Sequence, residues 1–154
     1  MFRHRDDNMN SEGPEKFAHN AHSVGISGYH LQWVTKCRYK TLLKEQHYKD
    51  CENAIKTAAK RHNIELLELG VMPEHVHVVA ILPNGMDHDK AVGLLKGYSA
   101  YELFRLHPDF RLRYPRGHFW GRGHFYRSIS GIDAETVRRY VREDNNPRQQ
   151  HLVN

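Results

Sequence analysis

The chain has 154 residues, 39% of them hydrophobic and 10% aromatic, with a formal net charge of +5. That length holds one domain with a sizeable core and is short for two. No apolar run approaches the roughly 20 residues that cross a bilayer, the amino terminus lacks a signal-peptide core, and Cys37 and Cys51 show no metal or disulfide spacing, so a membrane protein and a disulfide scaffold are excluded and a cytoplasmic location is expected.

Residues 1–27 mix His4, His19 and His22 with polar and charged residues and show no hydrophobic period, which reads as a flexible leader. The expected domain then spans 28–147, with a short tail at 148–154. From Tyr29 to Tyr39 the sequence alternates, with Tyr29, Leu31, Trp33, Thr35 and Cys37 on one face and His30, Gln32, Val34, Lys36 and Arg38 on the other. This predicts a half-buried strand with both cysteines as buried thiols. Lys36 and Arg38 lie on its polar face, which suits either solvent or nucleic acid. Between Leu43 and His62, Tyr48, Cys51, Ala54, Ile55, Ala58 and Ala59 recur at helical spacing, and Asn63 marks the stop.

A second strand is expected over Ile64–Met72, and the turn Met72-Pro73-Glu74, inside the stretch Val71–Leu82, feeds it directly into a third strand that carries His75 and His77. So short a link makes the pair antiparallel. Side chains alternate along a strand, so His75 and His77 point one way and Val76 the other. Two adjacent imidazoles suit a divalent metal, and from spacing alone they equally suit two half-exposed histidines at a strand start. The following segment, Val78 to Leu82, is apolar on both faces, as in the middle of a helix-covered sheet.

A helix is expected over Asp87–Leu106, capped by Asp87 or Asp89, with Ala91, Leu94, Leu95, Tyr98 and Phe104 inward. Lys96 and Gly97 interrupt it, either where a backbone or ligand comes close or as a tolerated defect. Residues His107 to Gly123 combine Gly, Pro and Arg with aromatic rings and show no period. Such a segment can stack unpaired bases while arginine meets phosphate, or it can be an ordinary packed loop. Strand character returns at His124–Ile129, and Asp133 caps a last helix with Val137, Tyr140, Val141 and Asp144 on one stripe. The order β-α-β-β-α-β-α predicts an α+β ferredoxin-like sandwich, two helices on one face of an antiparallel sheet, with a C-terminal helix added. Ten arginines fall between Arg105 and Arg148 and no lysine follows Lys96, an enrichment that favours phosphate and hence nucleic acid.

With those residues in place, the chain resembles the TnpA-type HUH single-tyrosine transposases, the IS200-like family of small insertion sequences that move as single-stranded DNA. The resemblance is carried by Val71-Met72-Pro73-Glu74-His75-Val76-His77, by Lys96-Gly97, by Gly123-His124-Phe125-Tyr126-Arg127-Ser128-Ile129-Ser130 and by Thr136-Val137-Arg138-Arg139-Tyr140-Val141. It implies Tyr140 as the nucleophile that forms a 5′-phosphotyrosine, Mg²⁺ or Mn²⁺ held by His75 and His77, a homodimer, and recognition of hairpin ends. The family often supplies a third ligand from a glutamine four residues after the tyrosine; this chain departs from it with Asp144 at the matching position, which is expected as the third ligand, with Glu74 as the alternative. Lys36, Arg38, Lys96, Arg116, Arg122 and Arg127 are the expected DNA contacts. The competing reading is a non-catalytic or domesticated ferredoxin-like protein that binds single-stranded nucleic acid.

Overall fold

The computed structural model describes residues 18–20, 23–25 and 27–129. Inside the segment read as a leader, β1 (Ala18–Asn20) and β2 (Ser23–Gly25) pair antiparallel. The main sheet has four strands: β3 (Gly28–Val34), β4 (Glu65–Val71), β5 (His75–Ile81) and β6 (Phe125–Ile129). Their spatial order is β4-β5-β3-β6, every neighbour antiparallel. Numbered within the sheet this is 2-3-1-4, the ferredoxin-like arrangement in which each helix crosses over one strand. Helices α1 (Glu45–Arg61) and α2 (His88–Leu106) pack on one another and share one core with the sheet. The α+β sandwich expected from the element order is therefore present, and the C-terminal helix with Tyr140 and Asp144 lies outside the described residues. Among the described residues no helix is long and apolar enough to cross a membrane.

Alternation builds the covered face. Leu31 and Trp33 of β3 and Val76, Val78 and Ala80 of β5 are all at most 1% exposed and belong to the core cluster with Ile55, Leu95 and Leu103. Each such aliphatic side chain contributes about 1.5–3 kcal/mol by leaving water. The stripe expected on α1 is buried at Cys51, Ala54, Ile55, Ala58 and Ala59, and Asn63 takes φ 56° just past the helix, the left-handed stop its side chain tolerates. Asp87 caps α2 by accepting from the Lys90 N–H at 2.8 Å. On α2, Val92, Ser99 and Leu103 are buried besides Ala91, Leu95 and Phe104, whereas Leu94 and Tyr98 are only half-buried.

Three expectations are corrected. The first strand ends at Val34 rather than Tyr39, because Cys37 and Arg38 adopt φ 58° and 52° in a 3-10 turn, Lys36–Arg38. The turn is fastened by the Thr35 hydroxyl, which donates to Tyr39 O at 2.7 Å, and by the Lys36 N–H on Phe119 O. Cys37 is consequently exposed, and only Cys51 is a buried thiol. Second, the aromatic residues of 107–123 face inward: Phe110, Tyr114, Phe119 and Trp120 are 1–7% exposed. They pack edge-on or tilted with centroids 4.7–5.9 Å apart, so this is a core-forming segment with the short helix α3 (Phe110–Arg113), and its rings are not presented to bases. Third, a Cβ at Gly97 would meet nothing within 4 Å; the close approach belongs to Gly121, where a Cβ would come within 3.2 Å of Val34.

Candidate functional site

The same alternation that buries Val76 and Val78 puts His75 and His77 on the sheet face opposite the helices. Their cross-strand neighbours follow from register: Val34 faces His75, Gln32 and Gly70 face His77, and His30 faces Val79. On β6, Arg127 faces His30 and Phe125 faces Gln32. His30 and His77 approach with ring centroids 5.9 Å apart. Together with Gln32, Phe125 and Arg127 they line an open cavity of about 170 Å³. Glu68 reaches the same face, its carboxylate 3.8 Å from His77 Nε2. A bulge makes this so: the ladder shifts between Leu66 and Glu68, so Leu66 and Leu69 stay on the core side while Glu65 and Glu68 both turn to the open side.

The chemistry of this face is set by the His75 and His77 rings and one fixed carboxylate, that of Glu74. His75 Nδ1 donates to Glu74 Oε1 at 2.9 Å, which leaves Nε2 as the ring nitrogen outside that contact. Glu74 is itself held, since the Thr35 N–H donates to its carbonyl at 2.9 Å. Burial, and then the neighbouring His75, hold the His77 imidazole below its ordinary value. Burial does the same to His30, followed by His77 and Arg127. Two imidazoles on a rigid strand, one of them oriented by a carboxylate, are a donor set that fits a divalent cation. Among the described residues no third His, Cys, Asp or Glu joins His75 and His77 within 4.8 Å of both.

The remaining expected residues divide by place. Arg127 shares the cavity with His77. Lys36 and Arg116 come together at a second cavity of about 290 Å³, beside Tyr39 and Arg113, where Arg113 lies 4.9 Å over the Tyr39 ring. Arg38 and Arg122 are exposed and line neither cavity. Lys96 is occupied: its ammonium donates to Gly121 O at 2.8 Å and Gly123 O at 3.3 Å, and burial lowers its pKa. Tyr140 and Asp144 lie outside the described residues. Tyr126, the other tyrosine near the arginine-rich end, pairs with Leu31 and so belongs to the helix-covered side, stacked on His88 at 3.6 Å. Sequence reading missed Glu68 and the meeting of His30 with His77. The alternation around His30 was visible; the register and the bulge that align them are not local properties.

Comparison with known proteins bears on the family and the fold. The family model described as "Transposase IS200 like" matches residues 23–144. The ISDra2 transposase TnpA of Deinococcus radiodurans is 25% identical over 113 residues, covering 73% of this chain and 80% of that protein. The transposase for insertion sequence element IS200 of Salmonella typhimurium is 23% identical over 122 residues, covering 79% of each. Among solved structures, a Deinococcus radiodurans protein described as a transposase superposes with a TM-score of 0.65 at 24% identity, over 81% of this chain and 95% of its own. A REP-associated tyrosine transposase bound to a REP hairpin shares the fold with a TM-score of 0.50 at 18% identity, over 80% of this chain and 67% of its own. The match over 23–144 takes in both histidines, the arginine-bearing edge strand and the position of Tyr140, and the chain belongs to the IS200-like transposase family.

Proposed function

We propose that this transposase binds the hairpin ends of its insertion sequence as single-stranded DNA, cleaves with Tyr140 and rejoins the strands. The observation that carries the reading is the pair His75 and His77, two positions apart on the open sheet face, with Arg127 at the cavity that His77 lines. His75 and His77 hold Mg²⁺ or Mn²⁺, with Asp144 as the third protein ligand, one helical turn from Tyr140 in sequence. Such an ion, when bound, polarises the scissile phosphate. The Tyr140 oxygen attacks phosphorus and forms the O–P bond of a 5′-phosphotyrosine; the bond to the 3′ oxygen breaks and that oxygen leaves as a hydroxyl. Attack by another 3′-hydroxyl on the phosphotyrosine reverses these bonds and joins strands without ATP. Glu74 keeps His75 in the ring orientation that exposes Nε2, and Arg127 offers its guanidinium to the DNA phosphate. The working unit is a homodimer, in which the tyrosine helix of one subunit can serve the histidines of the other.

The test is incubation of the full chain with hairpin-ended single strands and Mg²⁺, followed by denaturing electrophoresis for a covalent adduct. Tyr140→Phe should keep hairpin binding and lose the adduct. An adduct persisting in that variant moves the nucleophile elsewhere, and binding without any adduct in the unaltered protein favours the non-catalytic reading. Mixing His75→Ala with Tyr140→Phe protein should restore adduct if the sites are shared between subunits.

A further inference from the structure

A second set of metal-capable side chains converges on the other side of the sheet. His88 is the first residue of α2, Asp89 follows it, and His124 immediately precedes β6. His88 Nδ1 and His124 Nε2 lie 2.9 Å apart, and Asp89 Oδ1 is 3.7 Å from the first and 3.6 Å from the second. A tetrahedral ion with bonds of about 2.0–2.1 Å separates its ligand atoms by about 3.3 Å. The three observed spacings straddle that value. The side chains of His88 and His124 are 19% and 11% exposed, while the carboxylate reaches in from an Asp89 that is 76% exposed. The His88 ring is held in place by stacking on Tyr126, centroids 3.6 Å apart and planes 16° from parallel. Asp87, next in sequence, is committed to capping Lys90 and leaves the set at three.

We propose that His88, Asp89 and His124 bind one Zn²⁺ ion, separately from the His75–His77 pair, and that this ion fastens the start of β6 to the start of α2. Two imidazoles and one carboxylate at near-tetrahedral spacing, on the sheet side away from the DNA phosphate oxygens that would complete a Mg²⁺ shell, suit Zn²⁺. A water completes the fourth position. Without the ion, the two rings satisfy each other through one N–H···N hydrogen bond, so the ligand atoms are already gathered and little ordering remains for binding to accomplish. The clamp joins positions 36 residues apart in sequence. It acts at a strand that ends the described sheet and whose residues Phe125 to Ser128 are all exposed. Lys96 works beside it, holding the carbonyls of Gly121 and Gly123.

The test uses the full chain, free of affinity tag, with Co²⁺ as an optical probe and with His75→Ala/His77→Ala to silence the other pair. Tetrahedral Co²⁺ absorption should saturate at one ion per chain and be displaced by Zn²⁺ but not by Mg²⁺. His124→Asn should abolish the band, and Asp89→Asn, at an exposed position that leaves packing intact, should weaken binding about tenfold or more. Zn²⁺ at roughly 100-fold above its Kd should raise Tm by roughly 5–10 °C in the protein with His88, Asp89 and His124 intact. If neither His124→Asn nor Asp89→Asn changes the band or the Tm gain, the ion sits elsewhere, for instance on His4, His19 and His22, and the proposal falls. Absence of any Co²⁺ band overturns it equally.

Discussion

Strand β5 presents two different surfaces through alternate residues. Val76, Val78 and Ala80 face the helices and are completely buried, whereas His75 and His77 face outward and keep about a quarter of their side-chain surface accessible. The buried set lies in the shared core with Leu31 and Trp33; the outward set borders polar neighbours, His30, Gln32 and Arg127. The difference teaches that one strand can carry stability and chemistry on alternate positions of its pleat, with the separation sharpest at His75–Val78 because Val79, next in the outward register, is buried as well. Substitutions on the outward surface should therefore leave stability almost unchanged, whereas those on the buried surface act through folding itself.

The largest effect is expected from Val78→Asp. It places an uncompensated carboxylate at a fully buried position, and the cost of about 3–5 kcal/mol should leave most of the protein unfolded in thermal or urea denaturation. A folded, stable variant would mean that the covered layer admits water. Next, His77→Ala should abolish adduct formation while the urea midpoint stays within roughly 0.5 kcal/mol of the parent and single-strand binding persists. A large loss of stability in that variant would join the two surfaces that the pleat separates. Smaller again, Glu74→Gln should raise the Mg²⁺ or Mn²⁺ concentration needed for cleavage by about 10–100-fold, since the amide holds the His75 Nδ1–H less strongly than the carboxylate does. An unchanged metal requirement would leave the carboxylate only a local partner.

These same contrasts show what could be read in the chain beforehand. The outward histidines and the buried valines follow from period two, and the α1 stripe follows from period 3.6; both are local and both are present in the fold. The aromatic run from His107 to Gly123 was opaque because its inward direction is imposed from outside. Trp120 bridges to Thr35, the Gly121 N–H donates to Val34 O, and Gly117 and Gly123 turn at φ 75° and 74°. The end of β3 was likewise hidden, since Cys37 and Arg38 have no composition that announces a left-handed turn. Glu68 escaped because a strand reading Glu-Leu-Leu-Glu-Leu fits no strict alternation until a bulge absorbs one residue. The His88–Asp89–His124 group was invisible for a simpler reason: the two rings meet only after the sheet has formed.

The smallest expected effect sharpens the comparison from the covered side, where acid-sensitive groups also occur. His47 packs against His107 and Phe110 with centroids 4.6 and 4.7 Å away, and burial, then His107, hold its pKa below the ordinary 6.5. The folded protein therefore takes up this proton at lower pH than the unfolded chain. Its stabilising contribution is complete above about 6.5 and declines as pH falls from there through the lowered folded value. The urea midpoint should drop on acidification in that window, and His47→Gln should make the drop shallower without removing it, because His124 is lowered by burial as well. Parallel curves for parent and variant would show that His47 titrates alike in both states.

The turn before β5 bears on entropy. Leu42 N–H donates to Pro73 O, Thr35 N–H and its hydroxyl both reach Glu74 O, and Met72 N–H closes on His75 O at 2.8 Å. The residue that grips His75 thus has its own backbone immobilised from two directions. Free rotation of a side chain and its neighbour would otherwise be surrendered when a ligand arrives, at roughly 0.5–1.5 kcal/mol for each side chain stilled. Here that loss is met during folding, so replacing Thr35 should show itself as a more unfavourable binding entropy at His75, in a residue that never touches the ligand.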